Sequence, residues 1–330
     1  MVMKKPKYKI PEMSEIAKIP HNGFVVASTF SGCGGSSLGY KMAGFKVAWA
    51  NEFVKAAQET YRENHPSTYL DTRDIRTIEP TEILKEIDAD GIDILDGSPP
   101  CAAFSTAGTR EQGWSREKAY SDVRQRVDDL FFEFVRILEG VRPRVFVVEN
   151  VTGLVKGKAK GYFLEILRAL RSSGYRVECR SLDAQWLGVP QQRKRTIFIG
   201  VREDLQLSPV FPDPLPYRYT IREILPHLRR IQAGSYCAEW LNTHRPMGTI
   251  TQSDGARAHR SQCETKGGIR RKFTIDELKA ICGFPEDFVL TGSYAQQWER
   301  LGRAVPPPMM QSIAETIEKN ILRKVTDESG

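Results

Sequence analysis

Over the first 200 residues, short and nearly continuous apolar runs alternate with segments of helical period. FVVASTF (24–30), KVAWANEF (46–53), DILDGSP (93–99), RVFVVENV (144–151), RVECRSLDA (176–184) and TIFIGVR (196–202) are mostly β-branched and apolar, as strands covered on both faces are. VKAAQETYREN (54–64), DDLFFEFVRILEG (128–140) and GYFLEILRALRSSG (161–174) carry helical spacing between them. That alternation predicts an α/β fold with a doubly wound, mostly parallel sheet of Rossmann-like type. The pattern breaks after residue 202. SPVFPDPLPYRY (208–219) holds four prolines, and the stretch to 272 has no clear period, which predicts a small loop-rich region. Helical signals return in TIDELKAICG (274–283) and PPPMMQSIAETIEKNILRK (306–324), where prolines at the first helical positions are tolerated. The expected organisation is a basic N-terminal tail (1–23), a large α/β domain (24–202), a small region (203–272) and C-terminal helices returning to the large domain (273–330).

Composition narrows the class. With 40% apolar residues in 330, the chain can bury a substantial core, which argues against global disorder. No stretch approaches the roughly 20 apolar residues of a membrane helix, and the charged, proline-broken start lacks an apolar signal region. No membrane partner is expected, and a cytoplasmic location is. The six cysteines form no C-x-x-C pair, so neither a disulfide framework nor a zinc site is suggested, and no metal is expected. The charge of +7 is weak evidence for a polyanionic partner, but its distribution says more. Basic residues cluster at 193–195, 229–230, 257–260 and 270–272, as a solvated face or a nucleic-acid contact would have them.

The candidate chemistry begins at a glycine turn. FVVASTFSGCGGSSLGYKMAGF passes from a strand through Gly32, Gly34 and Gly35 into a helical segment, a setting for close backbone approach to a ligand. Glu52, twenty residues after Gly32, ends the next strand, where a carboxylate can accept ribose hydroxyls. Ser37 occupies the place of the third glycine of a dinucleotide fingerprint, so a nucleoside without pyrophosphate fits better than NAD. Asp74 follows the next helix, in position for an exocyclic adenine amine. Cys101 stands directly after two prolines in DGSPPCAAFS; by itself it reads as a small hydrophobe, a metal ligand or a nucleophile.

Taken in order, FSGCGG (30–35), NEF (51–53), DI (74–75), GSPPCAAFS (97–105), ENV (149–151), GVPQQRKR (188–195), RPMGTIT (245–251) and GRAVPP (302–307) resemble the cytosine-5 DNA methyltransferases. The resemblance implies transfer of a methyl group from S-adenosylmethionine to carbon 5 of cytosine in double-stranded DNA, by an enzyme expected to be a monomer in a bacterial or phage-infected cell. It also implies a target-recognition region between QQRKR and RPMGTIT. Carbon 5 is a poor nucleophile until a thiolate adds to carbon 6, and Cys101 answers to that role, its loop stiffened by Pro99 and Pro100. Glu149 corresponds to the acid at nitrogen 3, which a desolvated strand end favours, with Asn150 positioning the loop. Arg193 and Arg195 are placed at the active site, spaced so that one face of a strand meets a phosphate and the target base; a surface ion pair is their plainer reading. The cofactor residues carried over are Phe30, Gly32, Gly34, Glu52, Phe53, Asp74, Ile75, Pro100, Leu130 and the backbone of Ala304. Ser105, Gln191, Arg257, Arg260, Arg270 and Arg271 are the expected DNA contacts, around a nucleotide rotated out of the duplex.

The chain departs from the family pattern at three places. Arg303 follows Gly302 where asparagine is common, Ala102 replaces a frequent glutamine, and LDA (182–184) takes the place of Leu-Asn-Ala. The 203–244 span is short, which predicts a short or relaxed target. Restriction-modification and phage roles both fit. A tRNA methyltransferase on the same scaffold, which commonly shows a Cys-Phe-Thr absent here, and a degenerate DNA-binding homologue are the alternatives; a dehydrogenase is the most distant.

Overall fold

The computed structural model describes residues 5–87, 91–100, 118–120, 123–125, 129–155, 160–232, 239–255 and 261–327. The large sheet is built from β1 (Val25–Thr29), β2 (Lys46–Asn51), β3 (Tyr69–Asp71), β4 (Ile94–Gly97), β7 (Val145–Val151), β8 (Tyr175–Asp183) and β9 (Lys194–Arg202); a two-stranded ribbon of β5 (Lys118–Tyr120) and β6 (Val123–Gln125) lies between in sequence. Its order is β3-β2-β1-β4-β7-β9-β8. Neighbours from β3 to β7 run parallel, whereas β9 is antiparallel to both β7 and β8. The α/β reading holds, with one reversed strand. Every predicted strand is present within a few residues, and β3, only three residues long, is the one strand of this large sheet that the pattern did not reveal.

The helices are α1 (Met13–Ile16), α2 (Gly35–Met42), α3 (Lys55–Asn64), α4 (Pro80–Glu86), α5 (Leu130–Val141), α6 (Lys160–Ser172), α7 (Ile221–Ile224), α8 (Ile275–Cys282), α9 (Tyr294–Arg303), α10 (Pro307–Ile317) and α11 (Arg323–Asp327). One face of the sheet packs Ile83, Phe134, Leu138, Ile166 and Leu170 from α4, α5 and α6. The other packs Tyr40 of α2 with Met310 and Ile313 of α10. Both faces are therefore covered, which is why the strands read as continuous apolar runs. Gly39 lets α2 and α10 approach: a Cβ there would lie 2.6 Å from Met310 Cβ and from the Pro307 carbonyl.

Residues 203–272, expected as a small loop-rich region, hold short strands between their loops. They contain a four-stranded antiparallel sheet of order β11-β10-β12-β13, from β10 (Leu228–Gln232), β11 (Trp240–Asn242), β12 (Gln262–Thr265) and β13 (Arg270–Lys272). Strands of three to five residues are too short for a period of two to stand out. A third core joins this sheet to α8 and α9 through Ile231, Cys263, Ile281 and Trp298. The segment expected as a basic tail is docked onto that unit: Tyr8 donates to the Ala280 carbonyl, the Met13 N–H to Asp287, and Ile16 is buried.

Candidate active site

The glycine turn sits at the carboxyl end of β1. Phe30 takes a positive φ of 52°, unusual for a residue with a side chain, and Gly32 and Gly34 follow at 57° and 89°. Gly34 caps the start of α2; a Cβ on it would come within 2.1 Å of His65 Nε2, so glycine is needed there. A Cβ on Gly32, by contrast, would meet nothing within 4 Å, so open space lies before that backbone.

Glu52 follows β2 directly and is buried. Oε2 accepts the Gly32 N–H and Oε1 the Val54 N–H, both at 2.7 Å. Burial raises its carboxyl above the usual range, opposed by those N–H groups and by the Arg303 charge. Since a carboxylate offers about four acceptor positions, two backbone bonds leave capacity for a ligand's hydroxyls. Phe53 beside it is half-buried. Ile75 and Leu130 share one core cluster, against which Phe30 packs. Asp74 caps a short turn and pairs with Arg76 at 3.0 Å; Arg76 also pairs with Asp129, the residue before Leu130. Glu52 thus meets the turn directly, and Asp74 adjoins Ile75 of the apolar cluster on which Phe30 packs, groups whose chemistry fits a nucleoside cofactor.

The second half of the site is carried by β7 and β9. Glu149 and Arg195 are diagonal cross-strand neighbours, since Glu149 pairs Ile197 and Val151 pairs Arg195. Arg195 Nε lies 2.7 Å from Glu149 Oε1, although its N–H is not aimed at that oxygen, and both side chains are nearly sealed from solvent. Asn150 donates from Nδ2 to the Pro99 carbonyl at 3.3 Å, and its Oδ1 accepts the Val151 N–H. Asn150 thereby ties β7 to the segment that reaches Pro100. Cys101, Ser105, Arg257 and Arg260 lie outside the described residues.

Three expected site residues are placed otherwise than anticipated. Arg193 precedes β9 rather than lying on it; it is 1% exposed and donates to the carbonyls of Ile250, Gly302 and Arg303. It therefore joins β9 to the C-terminal segments and has no free face for a phosphate in this arrangement. Gln191, expected on DNA, is fully buried, its Oε1 accepting the Ile250 N–H and its Nε2 directed at Cys282 Sγ. Arg271 is engaged by buried Glu277 through two bonds of 2.7 and 2.8 Å. Arg270 is more open: its side chain is 61% exposed, stacks over Trp240 and contacts Glu264. Ala304 ends α9 beside Gly35, and Arg303 pairs with Glu299.

Two features escaped the sequence reading. Asp96, in the DGSPP stretch, is a buried carboxylate surrounded by hydroxyls. Next to Gln192 a groove of about 690 Å³ presents Trp186, Tyr217, Arg218, His244 and Arg245, with no carboxylate among its lining residues. Arg and aromatic residues around GVPQQRKR and RPMGTIT were the available signal for the groove. Among the described residues no cluster of three metal-ligating side chains occurs, and no helix is long and apolar enough to cross a membrane.

The sequence profile of the C-5 cytosine-specific DNA methylases matches residues 24–259 and 218–319. The chain belongs to that family. It is 32% identical to the type II methyltransferase M1.HphI of Haemophilus parahaemolyticus, over 88% of this chain and 85% of that one. It is 27% identical to M.NgoPII of Neisseria gonorrhoeae, over 94% and 100%. Among solved structures, a prophage-encoded E. coli protein described as a DNA modification methyltransferase superposes with a TM-score of 0.67 at 21% identity, covering 91% and 99%. The Dnmt2 methyltransferase of S. pombe gives 0.65 at 19%, covering 90% and 99%. At those identities the structures speak for the fold. The protein is a DNA (cytosine-5-)-methyltransferase.

Proposed function

We propose that this methyltransferase acts on a cytosine rotated out of double-stranded DNA, with Cys101 as covalent nucleophile and S-adenosylmethionine as methyl donor. The observation that carries the reading is the junction at the end of β7, where Glu149 meets Arg195 while Asn150 holds the Pro99 carbonyl two residues before Cys101. Cys101 would add to carbon 6 as thiolate, and Glu149 would hold a proton at nitrogen 3 so that charge entering the ring is neutralised there. Carbon 5 becomes nucleophilic as a result. Arg195 orients the Glu149 carboxyl and offers its remaining N–H donors to the base.

S-adenosylmethionine, when bound, supplies an electrophilic methyl group. Glu52 would take the ribose hydroxyls, Asp74 the adenine edge, and Phe30, Ile75 and Leu130 would enclose the adenine; Gly32 and Gly34 keep the turn open to it. Phe53, Pro100 and the Ala304 backbone complete the proposed set. Residues 203–272 are the proposed target-reading region, presenting Arg270 and the Arg218–Arg245 groove to phosphates, with Ser105, Arg257 and Arg260 as further contacts. A type II modification role, as in the curated relatives, is the biological setting proposed.

The test is duplex DNA carrying 5-fluorocytosine, which blocks release of the covalent adduct. Wild type with cofactor should form a denaturation-stable adduct, and Cys101→Ser should form none and transfer no methyl groups to ordinary duplex. Undiminished transfer by Cys101→Ser would overturn the covalent reading. Preference for tRNA over duplex DNA would overturn the substrate assignment.

A further inference from the structure

The proposed mechanism leaves Asp96 without a task. It is the third residue of β4 and only 1% exposed. Its Oδ2 accepts Ser28 Oγ at 3.0 Å and Ser36 Oγ at 2.7 Å, while the Tyr40 hydroxyl reaches Oδ1 at 3.4 Å. These donors are neutral, and Asp96 forms no ion pair among the described residues. Burial pushes its carboxyl up to about 7, against the bonds from Ser36, Ser28 and Tyr40 and with some help from the Glu149 charge. A buried carboxylate with no cation is costly, and an apolar residue would fill the space more cheaply.

Its position in the topology supplies a reason. Asp96 is the register partner of Ser28, so it bridges β1 and β4 one residue short of the carboxyl end of each. The chain order reverses between these two strands: β2 and β3 lie on one side of β1, and β4 lies on the other. Ligands of open α/β sheets settle in the crevice beyond the strand ends at such a switch point. Ser36 stands in the first turn of α2, immediately after the glycine turn, and Gly97 continues from Asp96 toward Pro99, Pro100 and Cys101. The buried carboxyl therefore lies beneath the turn proposed for the cofactor and on the strand that leads to Pro99 and Pro100.

We propose that Asp96 makes the cofactor site prefer the cationic sulfonium over the neutral thioether that remains after methyl transfer. The inference rests on the S-adenosylmethionine reading given above. Cofactor and product differ by one methyl group and one positive charge. The apolar wall of Phe30, Ile75 and Leu130 and the bonds of Glu52 and Asp74 address parts that both molecules share, so they cannot tell them apart. A buried anion can, because Coulombic attraction through protein falls off slowly and does not require contact. The same preference would speed release of the product, which otherwise competes for the site.

The experiment is calorimetric titration of the purified full-length protein at about pH 8.5, where the Asp96 carboxyl is ionised, with S-adenosylmethionine, with S-adenosylhomocysteine, and with an analogue bearing a permanently charged ammonium in place of the methylsulfonium. Asp96→Asn keeps the shape and an acceptor for the hydroxyls but removes the charge. It should lower the cation-to-neutral affinity ratio about tenfold for both cationic ligands while leaving homocysteine-form affinity within about twofold. Ser28→Ala with Ser36→Ala removes the hydroxyl donors that hold the carboxyl down, so it should move the ratio in the same direction as Asp96→Asn. An unchanged ratio in Asp96→Asn overturns the proposal. So does an equal loss of affinity for all three ligands, the mark of a purely structural staple. If wild type binds none of them, the cofactor reading fails, and this inference fails with it.

Discussion

Arg195 and Glu149 face one another diagonally across neighbouring antiparallel strands, Nε 2.7 Å from Oε1, in a corner nearly closed to solvent. The pair matters because the guanidinium charge sits against the carboxyl at the strand end where Asn150 holds the Pro99 carbonyl. Glu149→Gln keeps the shape and removes the proton that the proposed mechanism places there. It should lower kcat by about 10²- to 10⁴-fold, with the KM for duplex DNA changed only a few-fold, in a radiolabelled methyl-transfer assay. Arg195→Lys should not restore what Arg195→Ala loses, because an ammonium cannot hold the carboxyl and also present a planar fork to the base. Glu149→Gln activity above a tenth of wild type would remove the acid role.

Arg193, two residues away, should fail differently. Its guanidinium serves the carbonyls of Ile250, Gly302 and Arg303, which come from two distant stretches of chain. Arg193→Ala leaves those acceptors unsatisfied around a cavity and should cost about 2–4 kcal/mol of unfolding free energy. Denaturant unfolding checks this; an unchanged midpoint would mean that water replaces the guanidinium at no cost.

What was legible in the sequence follows from what kind of partner each residue has. The turn at Gly32 and Gly34, Glu52 and the ENV strand end stood out because each rides on a strand covered on both faces, whose apolar run marks its position. Gln191 and Arg193 stood out too, but as surface chemistry. Their polarity says that each needs partners, not that those partners are Ile250 and Gly302, some sixty and one hundred residues onward. Asp96 was hidden for the same reason: an acid at a strand end looks solvated until Ser28, Ser36 and Tyr40 close over it. The second sheet was illegible because its strands are too short for alternation to rise above composition.

Glu277 makes stability depend on acid. It is buried at the first turn of α8 and receives Arg271, His227 and the Thr274 N–H. Burial tends to raise its carboxyl, but the bonds from Arg271, His227 and Thr274 outweigh that and hold it down at about 2. A depressed carboxyl contributes stability that is complete above its unfolded value near 4.3 and is lost as pH falls toward 2. Because Arg271 and His227 are themselves partly open to solvent, screening reduces the contribution to the order of 1–2 kcal/mol. Glu277→Gln should therefore be less stable than wild type at pH 7, and the gap should close between about pH 4.5 and 2. Thermal unfolding across that range checks the sign; a gap that widens on acidification would contradict it.

Arg270 and Arg271 adjoin in sequence yet should part in DNA binding. Arg271 is bound to Glu277, so Arg271→Ala should chiefly lower thermal stability. Arg270 is open to solvent over Trp240, and its only ion pair is with Glu264 among the described residues, an acid that also lies 3.5 Å from Arg229. Releasing Arg270 to a phosphate therefore leaves Glu264 partnered. Each phosphate contact contributes about one to the slope of log affinity against log salt, through counterion release. Arg270→Ala should lower that slope by about one and leave the unfolding midpoint in place, and Arg245→Ala should do the same at the groove beside Gln192. Fluorescence anisotropy of a labelled duplex over a salt series reads the slope directly. Should Arg270→Ala and Arg245→Ala both keep the wild-type slope, DNA must cross this unit along a different face.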